Sequence, residues 1–135
     1  GHDGSLRLRT TEVLDLQTMT FSAGPNMCTR RSGCAAVMLD DDHLLVLGGH
    51  DGMKELDTTE VLDVASMSFA PGPRMGAARL ACAAAMLDER RLLVAGGVDG
   101  FSCLGTTEVL DMQTMTFTPG PAMCAQRWGA IAFSC

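Results

Sequence analysis

Small and apolar residues run together at 33–39 (GCAAVML) and again at 81–87 (ACAAAML), with charged stretches behind them, Asp40-Asp41-Asp42 and Asp88-Glu89-Arg90. A second apolar run follows at 44–47 and 92–95, and each stops at a glycine pair, Gly48-Gly49 or Gly96-Gly97. After a short polar loop comes TTEVLD, β-branched at its start and closed by Asp, then TMTF or SMSF ended by Gly-Pro. Runs this short, bounded by Gly, Pro and Asp, predict strands rather than helices. Small side chains in the first strand of each set suit a crowded centre, and Phe21, Phe69 and Phe117 in the fourth suit a widening periphery.

The pattern repeats. TTEVLD stands at 10–15, 58–63 and 106–111, a spacing of 48 residues both times, and the offset also maps Arg31 onto Arg79 and Arg127. Aligned without a gap, residues 1–48 and 49–96 share 27 identities. Four predicted strands per 48 residues is the period of a propeller blade. The chain is one unit, 1–135, with repeats at 1–48, 49–96 and 97–135.

Composition narrows the partners. Ten Lys and Arg stand against 16 Asp and Glu, a formal charge of −6. A basic face for phosphates is not to be expected, so nucleic acid is excluded, as is a polybasic membrane-surface module. No uncharged run approaches the ~20 residues of a membrane span, and the first residues, GHDG, lack the pattern of a signal peptide. The six cysteines form no C-x-x-C pair, and Cys34 and Cys82 sit in apolar stretches, which predicts free thiols and a cytoplasmic setting. The ten methionines are largely periodic (19/67/115, 27/75/123, 38/86), which predicts packing.

The Gly pair closing a second strand, the Asp-Gly loop, a third strand ending in Asp and an aromatic in the fourth resemble kelch repeats over essentially the whole chain. The resemblance implies an all-β, kelch-type β-propeller, here partial: two full four-stranded blades, about 29–75 and 77–123, plus flanking strands. One of these is an innermost strand at 128–133. Two features depart from the family. Leu14, Leu62 and Leu110 stand near its usual third-strand Tyr, and Phe replaces its fourth-strand Trp. Eleven strands fall one short of three blades, so a piece of a longer propeller is expected.

The resemblance also implies roles for arginines that open the innermost strand. Some kelch domains hold acidic peptides with them at the channel mouth, which makes Arg31, Arg79 and Arg127, with Ser32, candidates for carboxylate recognition. The competing reading is structural: a residue present in every repeat serves the repeat, each Arg pairing with the equally periodic Glu12, Glu60 or Glu108. Residues that vary between copies point to specificity instead. The second-to-third-strand loops and the segments before the inner strands vary, and in kelch propellers they share a face. Arg7, Arg9, Lys54, Arg74, Phe101 and Trp128 are its candidates.

Catalysis finds no foothold. The Arg triad of sialidases works with a Tyr nucleophile, and the copper site of galactose oxidase needs Tyr ligands; this chain has no Tyr. His2, His43 and His50 lie in loops without zinc-ligand spacing, and the Asp40 run lacks a calcium-loop pattern, so neither metal nor cofactor is expected. The expected function is a non-catalytic module binding a protein or acidic peptide through the loop face. Two other readings stand beside it: a non-catalytic part of a galactose-oxidase-like enzyme, and a repeat module that self-associates through open blade edges.

Overall fold

The structure, a computed structural model, describes residues 1–127. Trp128 and the innermost strand expected at 128–133 lie outside the described residues. Among the described residues ten strands alternate with turns: β1 (Glu12–Asp15), β2 (Thr20–Ala23), β3 (Ala35–Met38), β4 (His43–Leu47), β5 (Thr59–Asp63), β6 (Ser68–Pro71), β7 (Ala83–Met86), β8 (Arg91–Ala95), β9 (Thr107–Asp111) and β10 (Thr116–Pro119). They form one two-stranded sheet, β1–β2, and two four-stranded antiparallel meanders, β3–β4–β5–β6 and β7–β8–β9–β10. The innermost strands β3 and β7 lie beside each other, joined at their start by a bond from Ala81 N–H to Gly33 O (2.8 Å).

The second strand of each blade is a near-continuous apolar run because both faces of a blade are covered. On β4, Leu45 and Leu47 are fully buried and meet Leu92 and Val94 of β8, together with Leu110, Met75 and Cys82, in the core between the two full blades. Leu44 and Val46 face the other way, toward Val13 of the first repeat. Each fully buried Leu or Val contributes about 1.5–3 kcal/mol. A row of larger side chains crosses each full blade in register: Leu44 opposite Leu62 opposite Phe69, and Leu92 opposite Leu110 opposite Phe117. Phe69 and Phe117 are half-buried, while Phe21, in the two-stranded sheet, is 67% exposed.

One expectation shifts. The fourth strand begins two residues later than TMTF suggests, because its first half forms the turn after the third strand. Met19, Met67 and Met115 take left-handed backbone there, with φ of 55°, 51° and 52°. The Asp closing each third strand accepts N–H bonds from the turn, such as Thr18 N–H to Asp15 Oδ1 at 3.1 Å and Ser66 N–H to Asp63 Oδ1 at 3.0 Å. The methionines therefore divide: Met27 and Met75 are buried packing residues, whereas Met19 (68% exposed) and Met67 (39%) are turn residues facing solvent.

Two periodic devices set the ends of the strands. The hydroxyl of the second Thr of TTEVLD donates to the carbonyl of the Gly-Pro proline, Thr11 to Pro25, Thr59 to Pro73 and Thr107 to Pro121, at 2.6–2.7 Å. This folds the exit of the fourth strand back onto the third. Gly48 and Gly49, at φ of 64° and 92°, let the next linker pass. A Cβ on Gly48 would stand 2.3 Å from Arg79 O, and one on Gly49 2.7 Å from Ser32 O.

Candidate interaction surface

Arg31 precedes β3 and Arg79 precedes β7, each on the linker that enters its blade. Both point inward and are buried, at 0% and 1% exposure. Arg31 Nε bonds Glu60 Oε2 at 2.8 Å, Nη1 bonds the carbonyls of Gly48 and Thr58 at 3.0 and 2.9 Å, and Nη2 bonds Thr58 Oγ1 at 3.0 Å. Arg79 repeats the set on Glu108, Gly96 and Thr106 at 2.8–3.0 Å. The carboxylate is held from its other side by the linker backbone. Cys28 and Thr29 donate N–H to Glu60 at 2.5 and 3.2 Å, and Gly76 and Ala77 to Glu108 at 2.5 and 3.3 Å. Each clamp thus ties an incoming linker to the second and third strands of its own blade, and no buried side-chain polar atom among the described residues lacks a partner.

This corrects the assignment of Arg31 and Arg79 to a partner. A guanidinium this deeply buried, with four of its five N–H groups bonded to internal carbonyls, a Thr hydroxyl and a buried carboxylate, is not displayed at a channel mouth. Arg127 keeps the equivalent backbone bonds, donating N–H to Leu104 O at 3.1 Å and accepting from Gly97 N–H at 2.7 Å, and its side chain is exposed. Ser32 is half-buried, paired through its backbone with His50 at 2.9 and 3.0 Å.

The variable residues stand on rigid supports. In each second-to-third-strand loop an Asp side chain accepts two backbone N–H bonds: Asp3 from Ser5 and Leu6, Asp51 from Met53 and Lys54, Asp99 from Phe101 and Ser102, all at 2.7–3.0 Å. Those donors favour the ionised form and hold each carboxyl below its ordinary range. The turn pushes the residue two places after the Asp outward. Phe101 is 99% and Met53 91% exposed, while Ser5 takes the same place in the first loop.

Loops and linkers come together between the first repeat and the first full blade. A groove of about 650 Å³ is lined by His2, Ser5, Leu6, Arg7, Cys28, Thr29, Arg30, Asp51, Gly52 and Met53. Of the residues expected there from sequence, the groove gathers Arg7. Arg9 and Lys54 are exposed outside its lining. Arg74, 70% exposed, reaches Asp57 at 3.5 Å. Sequence reasoning missed Arg30, Met53 and His2 as candidates. The signal for Arg30 was present in the variable segment before Arg31, where the other copies carry Ala78 and Gln126. Among the described residues, Arg7, Arg9, Arg30 and Lys54 form no ion pair. No group of three or more His, Cys, Asp or Glu there is placed to hold a metal ion.

Antiparallel meander blades set side by side, inner strand against inner strand, are the architecture of a β-propeller. The family described as the kelch motif matches residues 30–76, from the Arg31 linker to just beyond Met75, which is one full blade with its clamp. That blade matches the kelch repeat, and the 48-residue period carries the same strands and the same clamp into the next blade. No curated protein matches the chain.

Proposed function

We propose that this kelch segment is a non-catalytic interaction module that binds a partner protein through its loop face. The observation that carries the reading is the contrast between support and display. Three successive loops share the same Asp-tied turn, yet present Ser5-Leu6-Arg7, Met53-Lys54-Glu55 and Phe101-Ser102-Cys103. A fold needing nothing at those places but an Asp and a Gly leaves the rest to recognition. Exposed Phe101 and Met53 on Asp-tied turns, Met53 beside Lys54 and Arg7, have the make-up of interface anchors, whose ordering cost on binding is low. The absence of Tyr from the sequence further favours binding over the oxidase or sialidase chemistry of other propellers.

The test compares two surface variants in affinity capture from cell extract. Phe101→Ala with Lys54→Ala alters the loop face, and Asp41→Ala with Glu89→Ala alters the turns at the opposite ends of the strands. A partner lost with the first and kept with the second is the expected result. A partner lost only with the second places recognition on the other face and sinks the reading.

A further inference from the structure

Two of the three display loops carry a histidine that neither the clamp nor the loop-face reading uses. His2 and His50 hold the same place in successive repeats, and Val98 stands there in the third. Each ring accepts a backbone N–H from the glycine two residues on, Gly52 to His50 Nδ1 at 2.9 Å and Gly4 to His2 Nδ1 at 3.2 Å. An Nδ1 that accepts carries no proton, so both contacts belong to the neutral imidazole with its proton on Nε2. Val98 offers Gly100 no such acceptor, yet the turn there is the same left-handed one, with φ of 94° at Gly100 against 108° at Gly52 and 100° at Gly4. The fold therefore does not require the ring.

We propose that His50 and His2 form an acid-sensitive latch on the groove between the first repeat and the first full blade, released when the rings take up a second proton. That proton goes to Nδ1, so a donor then faces the glycine N–H where an acceptor stood. Gly52 and Met53 line the groove and so does His2, so release loosens residues from both loops at once. The Phe101 loop, built on Val98, does not respond. The charged groups around His50 supply no replacement acceptor. Asp51 stands beside it with the opposite charge, but its Oδ1 already holds Met53 N–H and Lys54 N–H. On the return arm Lys54 is a donor, and Glu55 is turned over Gly100 of the next loop. Arg7 leans over Gly52 from the preceding loop, Arg30 of the linker lines the groove, and Arg31 points into its clamp. Around His2 the arrangement recurs, with Asp3 Oδ1 holding Ser5 N–H and Leu6 N–H and with Arg7 opposite on the return arm. The latch goes beyond the loop-face reading and does not depend on it.

The test is NMR on the full chain, wild type and His50→Val, the variant giving the second loop the residue that the third already carries. At neutral pH the ring nitrogen shifts of His50 are expected to show the Nε2–H tautomer. On acidification the Gly52 amide should move with the ring's own titration. Protection of the Gly52 amide, taken relative to intrinsic exchange, should fall by roughly 10-fold, while Phe101 and Ser102 N–H keep theirs. In His50→Val the second loop should be indifferent over the same range. An Nδ1–H tautomer, a Gly52 amide that ignores the ring, or an equal loss in the Phe101 loop or in His50→Val would overturn the proposal. Each of those results leaves the loop-face reading standing, because capture of a partner is a separate measurement.

Discussion

Replacing Arg79 by Met removes the guanidinium and keeps most of the stem. Four hydrogen bonds are lost, those to Glu108, Gly96 O, Thr106 O and Thr106 Oγ1, and all four partners lie at or beside the core. Glu108, 5% exposed, keeps only the N–H groups of Gly76 and Ala77. Breaking one side of a buried pair costs about 3–5 kcal/mol. The two remaining donors place the expected loss near the bottom of that range, about 3 kcal/mol, a large share of the ~5–15 kcal/mol by which domains are stable. Glu108→Gln keeps the acceptor and loses the charge, and is expected to cost about 1.5 kcal/mol. Because the partners touch, the double variant should lose less than the sum by at least ~1 kcal/mol. Urea unfolding followed by circular dichroism measures all three. A loss below ~1 kcal/mol for Arg79→Met, or additivity within ~0.5 kcal/mol, would refute the clamp as a source of stability.

Further outcomes follow from single positions. Gly48→Ala meets left-handed backbone and the Arg79 carbonyl 2.3 Å from the new Cβ, so thermal unfolding should show a loss of about 3 kcal/mol or more. Met19→Asn, at an exposed turn with φ of 55°, should instead stabilise by up to about 1 kcal/mol, since Asn takes that conformation at lower cost. Burial pushes the Cys82 thiol up to about 11, so iodoacetamide at pH 8 should label exposed Cys124 and spare Cys82 until denaturant is added. The Asp40 carboxylate bonds the His43 ring and raises its pKa, so any stability gained there is present below the unfolded value and lost as pH rises through the folded one. An NMR titration of His43 should move down in Asp40→Asn.

The blades were legible because period, turn residues and apolar runs all agreed, and the third strand showed its Asp and Thr in every copy. The fourth strand was misplaced at its start because Met gives no sign of left-handed backbone, and only the bonds around Asp15 and Asp63 reveal the turn. The arginines were harder to assign. Periodicity allowed both a structural and a partner-binding role; Glu12, Glu60 and Glu108 recur with the same period, and nothing in one dimension pairs Arg31 with the glutamate 29 residues ahead. Burial decides it, and burial is a property of the folded blade. The groove was half visible: Arg7 stood out in a variable loop, while Arg30 lies in the variable segment before the inner strand, where nothing in the sequence sets it apart from the periodic Arg31 beside it.

That separation of 29 residues orders events during synthesis. A linker arginine leaves the ribosome before the hairpin that will receive it, and at about 5–20 residues per second its glutamate follows some 1 to 6 seconds later. Until then the linker has nothing to close upon, and the preceding blade cannot be locked to the one being made. Each blade is therefore fastened by the chain that comes after it, which gives the array a direction of completion running from the first repeat toward the last.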